Sequence, residues 1–199
     1  MIRISATNLD AFRRYRDSED ASLEDLLVYL RRETPPTPPM LAGKALHKAL
    51  EIAAEGEHDT LAADGYTFDF STAGDVALAD IREMKLEVER TVGGTPVTLV
   101  GVVDGIRGRE VIDHKLTLRF DPERFLSSYQ WRVYLSAFDA DRFTWIVYEG
   151  VPERDDPQRY TIRALHHLTA HRYPEMEADL ERELAAYVAF AKAHLAGAV

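Results

Sequence analysis

The chain contains no cysteine. That absence excludes disulfide bonds, thiolate zinc sites and cysteine-ligated iron–sulfur clusters, and leaves carboxylates and histidines as the side chains able to hold a metal. Such a donor set is hard and suits Mg2+ or Mn2+, a histidine nitrogen tilting the preference toward Mn2+. No run of about eighteen uncharged apolar residues occurs. The N-terminus lacks the basic and apolar stretches of a secretory signal, so the expectation is a cytoplasmic protein with no membrane span. Positive charge is also scarce: 24 Lys and Arg against 34 Asp and Glu give a formal net charge of −10. A chain of that sign does not coat nucleic acid by bulk electrostatics. A local basic groove and a bound divalent ion would still suffice for an enzyme acting on phosphate.

What is present is 46% hydrophobic residues over 199 positions, enough for one substantial core. Thr7 or Asn8 is expected to cap a short helix through about residue 15, and Ser22 with Asp25 to open a second one through Leu30. Pro35-Pro36-Thr37-Pro38-Pro39 reads as a stiff, non-helical connector. From 40 to about 55, Leu41, Ala45, Leu46, Ala49, Leu50 and Ala53 recur at helical spacing and predict a helix with one buried face. Short edge strands are expected at 66–70 and 76–78.

The clearest β pattern follows. Met84, Leu86 and Val88 alternate with Lys85, Glu87 and Glu89; a Gly93-Gly94 turn leads into a strand over 97–106, and a turn at Arg107-Gly108 returns the chain through Val111 and Ile112. Pro122 stands at the start of the next helix, which carries Phe125, Leu126, Tyr129, Val133 and Ala137 inward. Strands over 143–148 and 160–165 and a long helix from about 174 complete the chain. This order predicts an α+β fold, a central mixed sheet with an antiparallel three-strand meander flanked by helices. A single domain over 1–199 is expected, with a helical segment and Pro-rich connector (1–39), a core (40–150) and a C-terminal strand and helix (151–199).

Two acidic residues end apolar stretches nine positions apart, Gly101-Val102-Val103-Asp104-Gly105 and Val111-Ile112-Asp113-His114-Lys115. A tight hairpin can bring Asp104 and Asp113 together, and two carboxylates held close repel unless a cation or proton lies between them, so the pair reads as a divalent metal site. Asp113 and Lys115 share one strand face; His114 points away and leaves its backbone carbonyl available to the same metal. The arrangement suits phosphodiester hydrolysis, in which a metal acidifies a water and a lysine orients that water or stabilises charge on phosphorus.

Each residue also has a plainer reading. Taken alone, Asp-x-Lys is commonly a surface ion pair. His47 on an amphipathic helix is as easily a hydrogen-bonded core histidine, and Gln130 with Tyr134 an exposed helix pair. Glu87 and Glu89 read as a solvated strand face, with Glu87 a reserve acidic ligand. Glu51 either pairs with Lys48 or supports His47 from behind. The adjacent His166 and His167, with His171, read as surface residues. Arg107, Arg109, Arg119, Arg124 and Arg132 are either a groove tracking phosphates, with Arg124 a substrate contact, or scattered solvated side chains.

Taken together, the residues resemble the PD-(D/E)XK nuclease superfamily, and most of all its RecB-type exonuclease branch. Four stretches match in order: Gly43-Lys44-Ala45-Leu46-His47 with Leu50-Glu51, Gly101-Val102-Val103-Asp104, Asp113-His114-Lys115, and Gln130 with Tyr134. They span roughly 40–150, and Ser5-Ala6-Thr7-Asn8-Leu9-Asp10-Ala11-Phe12 extends the likeness toward the N-terminus. The resemblance implies a restriction-endonuclease-like core of three-layer α/β/α type. It implies metal ligation by His47, Asp104 and Asp113, Lys115 as the catalytic lysine, and Gln130 and Tyr134 lining the site and contacting DNA. By the same likeness the chain is a Mg2+- or Mn2+-dependent deoxyribonuclease, an exonuclease of recombination or repair such as phages and bacteria encode, and a homo-oligomer or a repair-protein partner fits that role. The chain lacks the four cysteines that some members use for an iron–sulfur cluster, has Asp113 where other branches use glutamate, and matches no motif beyond about residue 160. The alternatives are a nuclease fold without catalysis, serving as a DNA-binding or assembly subunit, and an acidic interaction protein.

Overall fold

The computed structural model describes residues 2–56, 58–74, 76, 78–79 and 81–195. Strand β1 (Ile2–Ser5) runs directly into helix α1 (Ala6–Arg16), and the cap is Ser5 rather than Thr7 or Asn8: its Oγ accepts the Asn8 N–H at 3.1 Å. Helix α2 (Leu23–Leu30) opens as expected, with Ser22 Oγ accepting from the Asp25 N–H. Helix α3 (Pro38–Ile52) begins inside the proline run, because Pro38 and Pro39 occupy the first turn, where a missing N–H costs no hydrogen bond. It buries Ala42, Ala45, Leu46, Ala49 and Leu50 along one face.

Strands β2 (Thr60–Ala63) and β3 (Tyr66–Asp69) form a hairpin whose first arm the sequence pattern does not announce. The strand expected at 76–78 is not present: Val76 and Leu78 lie outside any strand, and Ala77 falls outside the described residues. Val76 is nonetheless buried against the α3 side of the core, so its apolar character serves packing without a ladder.

The meander comprises β4 (Ile81–Val92), β5 (Thr95–Arg107) and β6 (Glu110–Thr117). Gly93 and Gly94 at φ +53° and +77° make the first turn, which only residues tolerant of left-handed backbone can form. The second turn is Gly108-Arg109, one residue later than expected, with Gly108 at φ +56°. The helix expected after Pro122 is broken into α4 (Pro122–Leu126) and α5 (Gln130–Ala137). Strands β7 (Arg142–Pro152) and β8 (Arg159–His171) and helix α6 (Met176–His194) follow.

All eight strands join one mixed sheet in the order β1-β5-β6-β7-β8-β3-β2, with β4 on the other edge of β5. One face carries α1, α5 and α6 over a core that includes Leu99, Val103, Trp145 and Leu184; the other carries α3 over Phe68, Ile112, Ile146 and Tyr148. Helices on both faces of a mixed sheet give the α+β, restriction-endonuclease-like core that the sequence predicts. Among the described residues, no helix is long and apolar enough to cross a membrane.

One feature of the sheet positions the site. Strand β5 shares a single edge between two partners, pairing with β1 through Val97–Val100 and with β6 only through Gly105–Arg107. Residues 101–104 therefore face a split, where ladder groups need other partners. Tyr134 on α5 fills part of it by donating its hydroxyl to the Val102 carbonyl at 3.0 Å. Gly101 makes room for that ring, since a Cβ there would lie 2.7 Å from the Tyr134 hydroxyl oxygen.

Candidate active site

Asp104 sits at the mouth of the split. Val103 packs into the core under α1, α5 and α6, whereas Gly105, two residues on, faces Ala79 on the α3 side, so β5 kinks at Asp104 instead of alternating regularly. The kink lets one carboxylate reach both neighbours of the split. Asp104 Oδ1 accepts from His47 Nδ1 on α3 at 2.9 Å, and Oδ2 accepts the backbone N–H of His114 on β6 at 2.6 Å. Because a strand residue points its N–H and C=O to the same side, the His114 carbonyl also opens toward the split.

Asp113 lies on β6 beside it, buried to 5% exposure. Its Oδ1 accepts from Lys115 Nζ at 2.8 Å and from Gln130 Nε2, at the start of α5, at 3.0 Å. Oδ2 lies 2.6 Å from the same Nζ but out of line for a hydrogen bond, and this enclosed oxygen has no hydrogen-bond partner. The Lys115 ammonium is the cation that offsets the cost of burying this carboxylate.

The electrostatics couple these groups. Burial raises the Asp113 carboxyl above its ordinary range, the Lys115 charge pulls it back, and the nearby Asp104 charge raises it further. Burial acts to lower Lys115, but Asp113 and Asp104 outweigh it and hold the ammonium protonated. Burial would likewise raise Asp104, and the hydrogen bond and charge of His47 reverse that, keeping it ionised. His47 is raised in turn, its burial offset by Asp104. The His114 ring lies on the α3 side, next to the Tyr148 hydroxyl at 3.1 Å, and burial lowers it to about 4, so it is neutral.

His47, Asp104, Asp113, Lys115 and Gln130 are thus brought together from α3, β5, β6 and α5. Tyr134 is placed otherwise than its predicted contact with substrate: it is 5% exposed and its hydroxyl is engaged by Val102, so it shapes the split from within. Glu51 pairs with Lys48 at 2.7 Å and also lines the small cavity beside His47. Glu87, the reserve acid, is an exposed partner of Arg3 at 2.9 Å, opposite Val100. The acid that reaches the site from β4 is Glu83, four residues earlier: one ligand atom each from His47, Glu83 and Asp104 lie within 4.8 Å of one another. Glu83 has φ +54°, a left-handed conformation inside a strand, which for a non-glycine residue costs of order 1–3 kcal/mol. Nothing in an Ile-Arg-Glu-Met stretch announces that backbone.

Asp10 was also missed, although it falls in the N-terminal stretch that matches. Buried on α1, it accepts from the Tyr129 N–H at 2.6 Å and from the Ser128 hydroxyl, and so anchors the break between α4 and α5 directly before Gln130. Of the five arginines considered for a groove, Arg107 donates to the Leu78 carbonyl, Arg109 pairs with Asp141 and Asp139, and Arg132 stacks on Trp131 with its carbon 4.1 Å from the ring centre. Arg119 and Arg124 remain, lining a surface groove with Phe120, Asp121 and Pro122, their guanidinium groups without a partner among the described residues. His166 stacks on Phe120 and meets Glu149 at 3.1 Å, away from any metal-like cluster.

No family model matches the chain, and no curated protein does. Solved structures do. SSO0001 superposes with a TM-score of 0.54 at 18% identity, covering 96% of this chain and 77% of its own. An alkaline exonuclease from Laribacter hongkongensis superposes with a TM-score of 0.51 at 16% identity, covering 96% of this chain and 88% of its own. At such identities the likeness is one of fold, a central mixed sheet with helices on both faces.

Proposed function

We propose that the protein is a Mg2+- or Mn2+-dependent deoxyribonuclease of the RecB-type exonuclease branch, acting on DNA in recombination or repair. The observation that carries the reading is the meeting of Asp104, His47 and the buried Asp113–Lys115 pair at a split in the sheet. An all-oxygen-and-imidazole donor set fits a hard divalent ion. His47, Asp104 and Asp113 would hold that ion, with the His114 carbonyl as a backbone donor, and Glu51 would support His47 from behind. When bound, the ion supplies a Lewis acid and an acidified water for attack on phosphorus.

The chain's own groups prepare that attack. Lys115 keeps its proton, so it acts as a cation and donor rather than a base: it can hydrogen-bond the attacking water and offset negative charge growing on the phosphate. Gln130 and Lys115 together fix Asp113, through hydrogen bonds to Oδ1 and the Lys115 ion pair at Oδ2. The His114 N–H fixes Asp104 in the same way. Arg124, with Arg119, offers the local positive charge that a chain of net charge −10 needs in order to receive a phosphate backbone. The exposed groove is where DNA would enter, and Tyr134 acts from beneath by holding β5 open.

The test is cleavage of end-labelled duplex and single-stranded DNA with Mg2+ or Mn2+. The parent is expected to release nucleotides, and Asp113→Ala to lose activity by about a hundredfold or more, the scale of removing a charge-stabilising group. No cleavage by the parent with either metal, or equal cleavage by Asp113→Ala, would refute the reading.

A further inference from the structure

Strand β4 keeps one register along β5 from Ile81 opposite Ile106 to Val92 opposite Thr95, interrupted only between the Arg82–Gly105 and Met84–Val103 pairs, where Glu83 and Asp104 fall. The backbone around this position is anchored from outside the sheet. Arg82 directs Nη1 at three carbonyls of the last turn of α3 and its exit, Leu50 at 3.1 Å, Glu51 at 3.0 Å and Ala53 at 2.6 Å. Those are the acceptors that a helix C-terminus leaves without intrahelical donors, so one guanidinium both completes α3 and ties β4 to it. The next residue, Glu83, takes the left-handed conformation at φ +54°. Glycine adopts that backbone without steric cost, whereas glutamate adopts it at a cost that the surrounding structure must offset.

The Glu83 carboxylate is exposed and stands beside ligand atoms of His47 and Asp104. Glu83 makes no hydrogen bond or ion pair with the described residues, and its charged neighbours include two further acids, Asp104 and Glu51. Lys48, a neighbouring cation, is committed to Glu51. A cavity of about 10 Å³ lies among His47, Glu51, Arg82, Glu83, Asp104 and His114, room for a single atom-sized occupant. One ligand atom each from His47, Glu83 and Asp104 lie within 4.8 Å of one another there, a spacing that a single ion can bridge.

We propose that Glu83 is a ligand of the divalent ion at His47 and Asp104, presented by the left-handed backbone of β4, with Arg82 the positioning residue that holds this strand against the helix carrying His47. The proposal rests on the metal-site reading given above. It adds a third carboxylate to the site from a strand that the matching motifs do not include, and it explains why a glutamate occupies a glycine-like conformation.

Calorimetric titration of the full chain with MnCl2, alongside thermal melting without metal, separates the two levels. Glu83→Gln keeps the shape of the side chain without the charge, and Glu83→Gly is at ease at φ +54°, so the second variant folds even if the first does not. Both are expected to bind Mn2+ about tenfold or more weakly than the parent, with Glu83→Gly melting at or above the parent temperature in the absence of metal. Saturable binding by the parent with both variants within twofold of it would overturn the Glu83 assignment and leave the His47, Asp104 and Asp113 site standing. Absence of saturable binding by the parent would overturn both.

Discussion

At the scale of single residues, the site depends on side chains that hold other side chains still. Asp10 touches no candidate ligand, yet its two hydrogen bonds fix Ser128 and the Tyr129 N–H, and Gln130 begins α5 from that point. Asp10→Ala should therefore cost about 1–3 kcal/mol, by leaving a buried donor unsatisfied, and should slow DNA cleavage about tenfold as Gln130 loosens from Asp113. Asp10→Asn keeps an acceptor for Tyr129 and should recover most of both losses. Melting curves and single-turnover cleavage on the two variants check this; equal losses would show that charge near Lys115, rather than hydrogen bonding, is what Asp10 contributes. The sequence made Asp104, Asp113, Lys115 and His47 legible because two carboxylates ending apolar strands have few structural uses. It hid Asp10 and Glu83, because one acts through backbone atoms distant in sequence and the other through a dihedral angle that no residue type encodes.

At the scale of elements, legibility followed the strength of local periodicity. Helix α3 and the β4–β5–β6 meander repeat their apolar residues at 3.6 and 2 and have clear turn glycines, so both were readable. The α4–α5 break was not, since it is imposed by Asp10 on α1, and β2 was not, since Thr-Leu-Ala-Ala has a weak pattern and gains its ladder from β3. Far from the site, Glu110 at the start of β6 is buried with Thr144 Oγ1 at 2.6 Å and Arg142 Nη2 at 3.0 Å, tying β6 to β7. Burial would raise its carboxyl, but those two donors outweigh it and lower it. A folded-state value below the unfolded one contributes stability above the ordinary glutamate range, and that contribution is lost as pH falls through the folded value. Urea melts from pH 7 to 3 should show the parent losing stability more steeply below that range than Glu110→Gln; parallel curves would contradict the assignment.

At the scale of the molecule, one divided strand edge organises the rest. Where β1 leaves β5 and before β6 joins it, the sheet offers unpaired backbone and a kinked carboxylate, and helices on opposite faces send His47 and Gln130 to that gap. The net charge of −10 places positive potential at a premium, and in the proposed function a divalent ion with Arg119 and Arg124 would together make the approach of a polyanion favourable. The most direct measurement is a crystal structure of the protein soaked in MnCl2 with anomalous data collected near the manganese edge. An anomalous peak is expected at the split, ligated by His47, Asp104 and Asp113. No peak there, or manganese bound elsewhere with Asp113 still paired to Lys115 alone, would contradict that assignment.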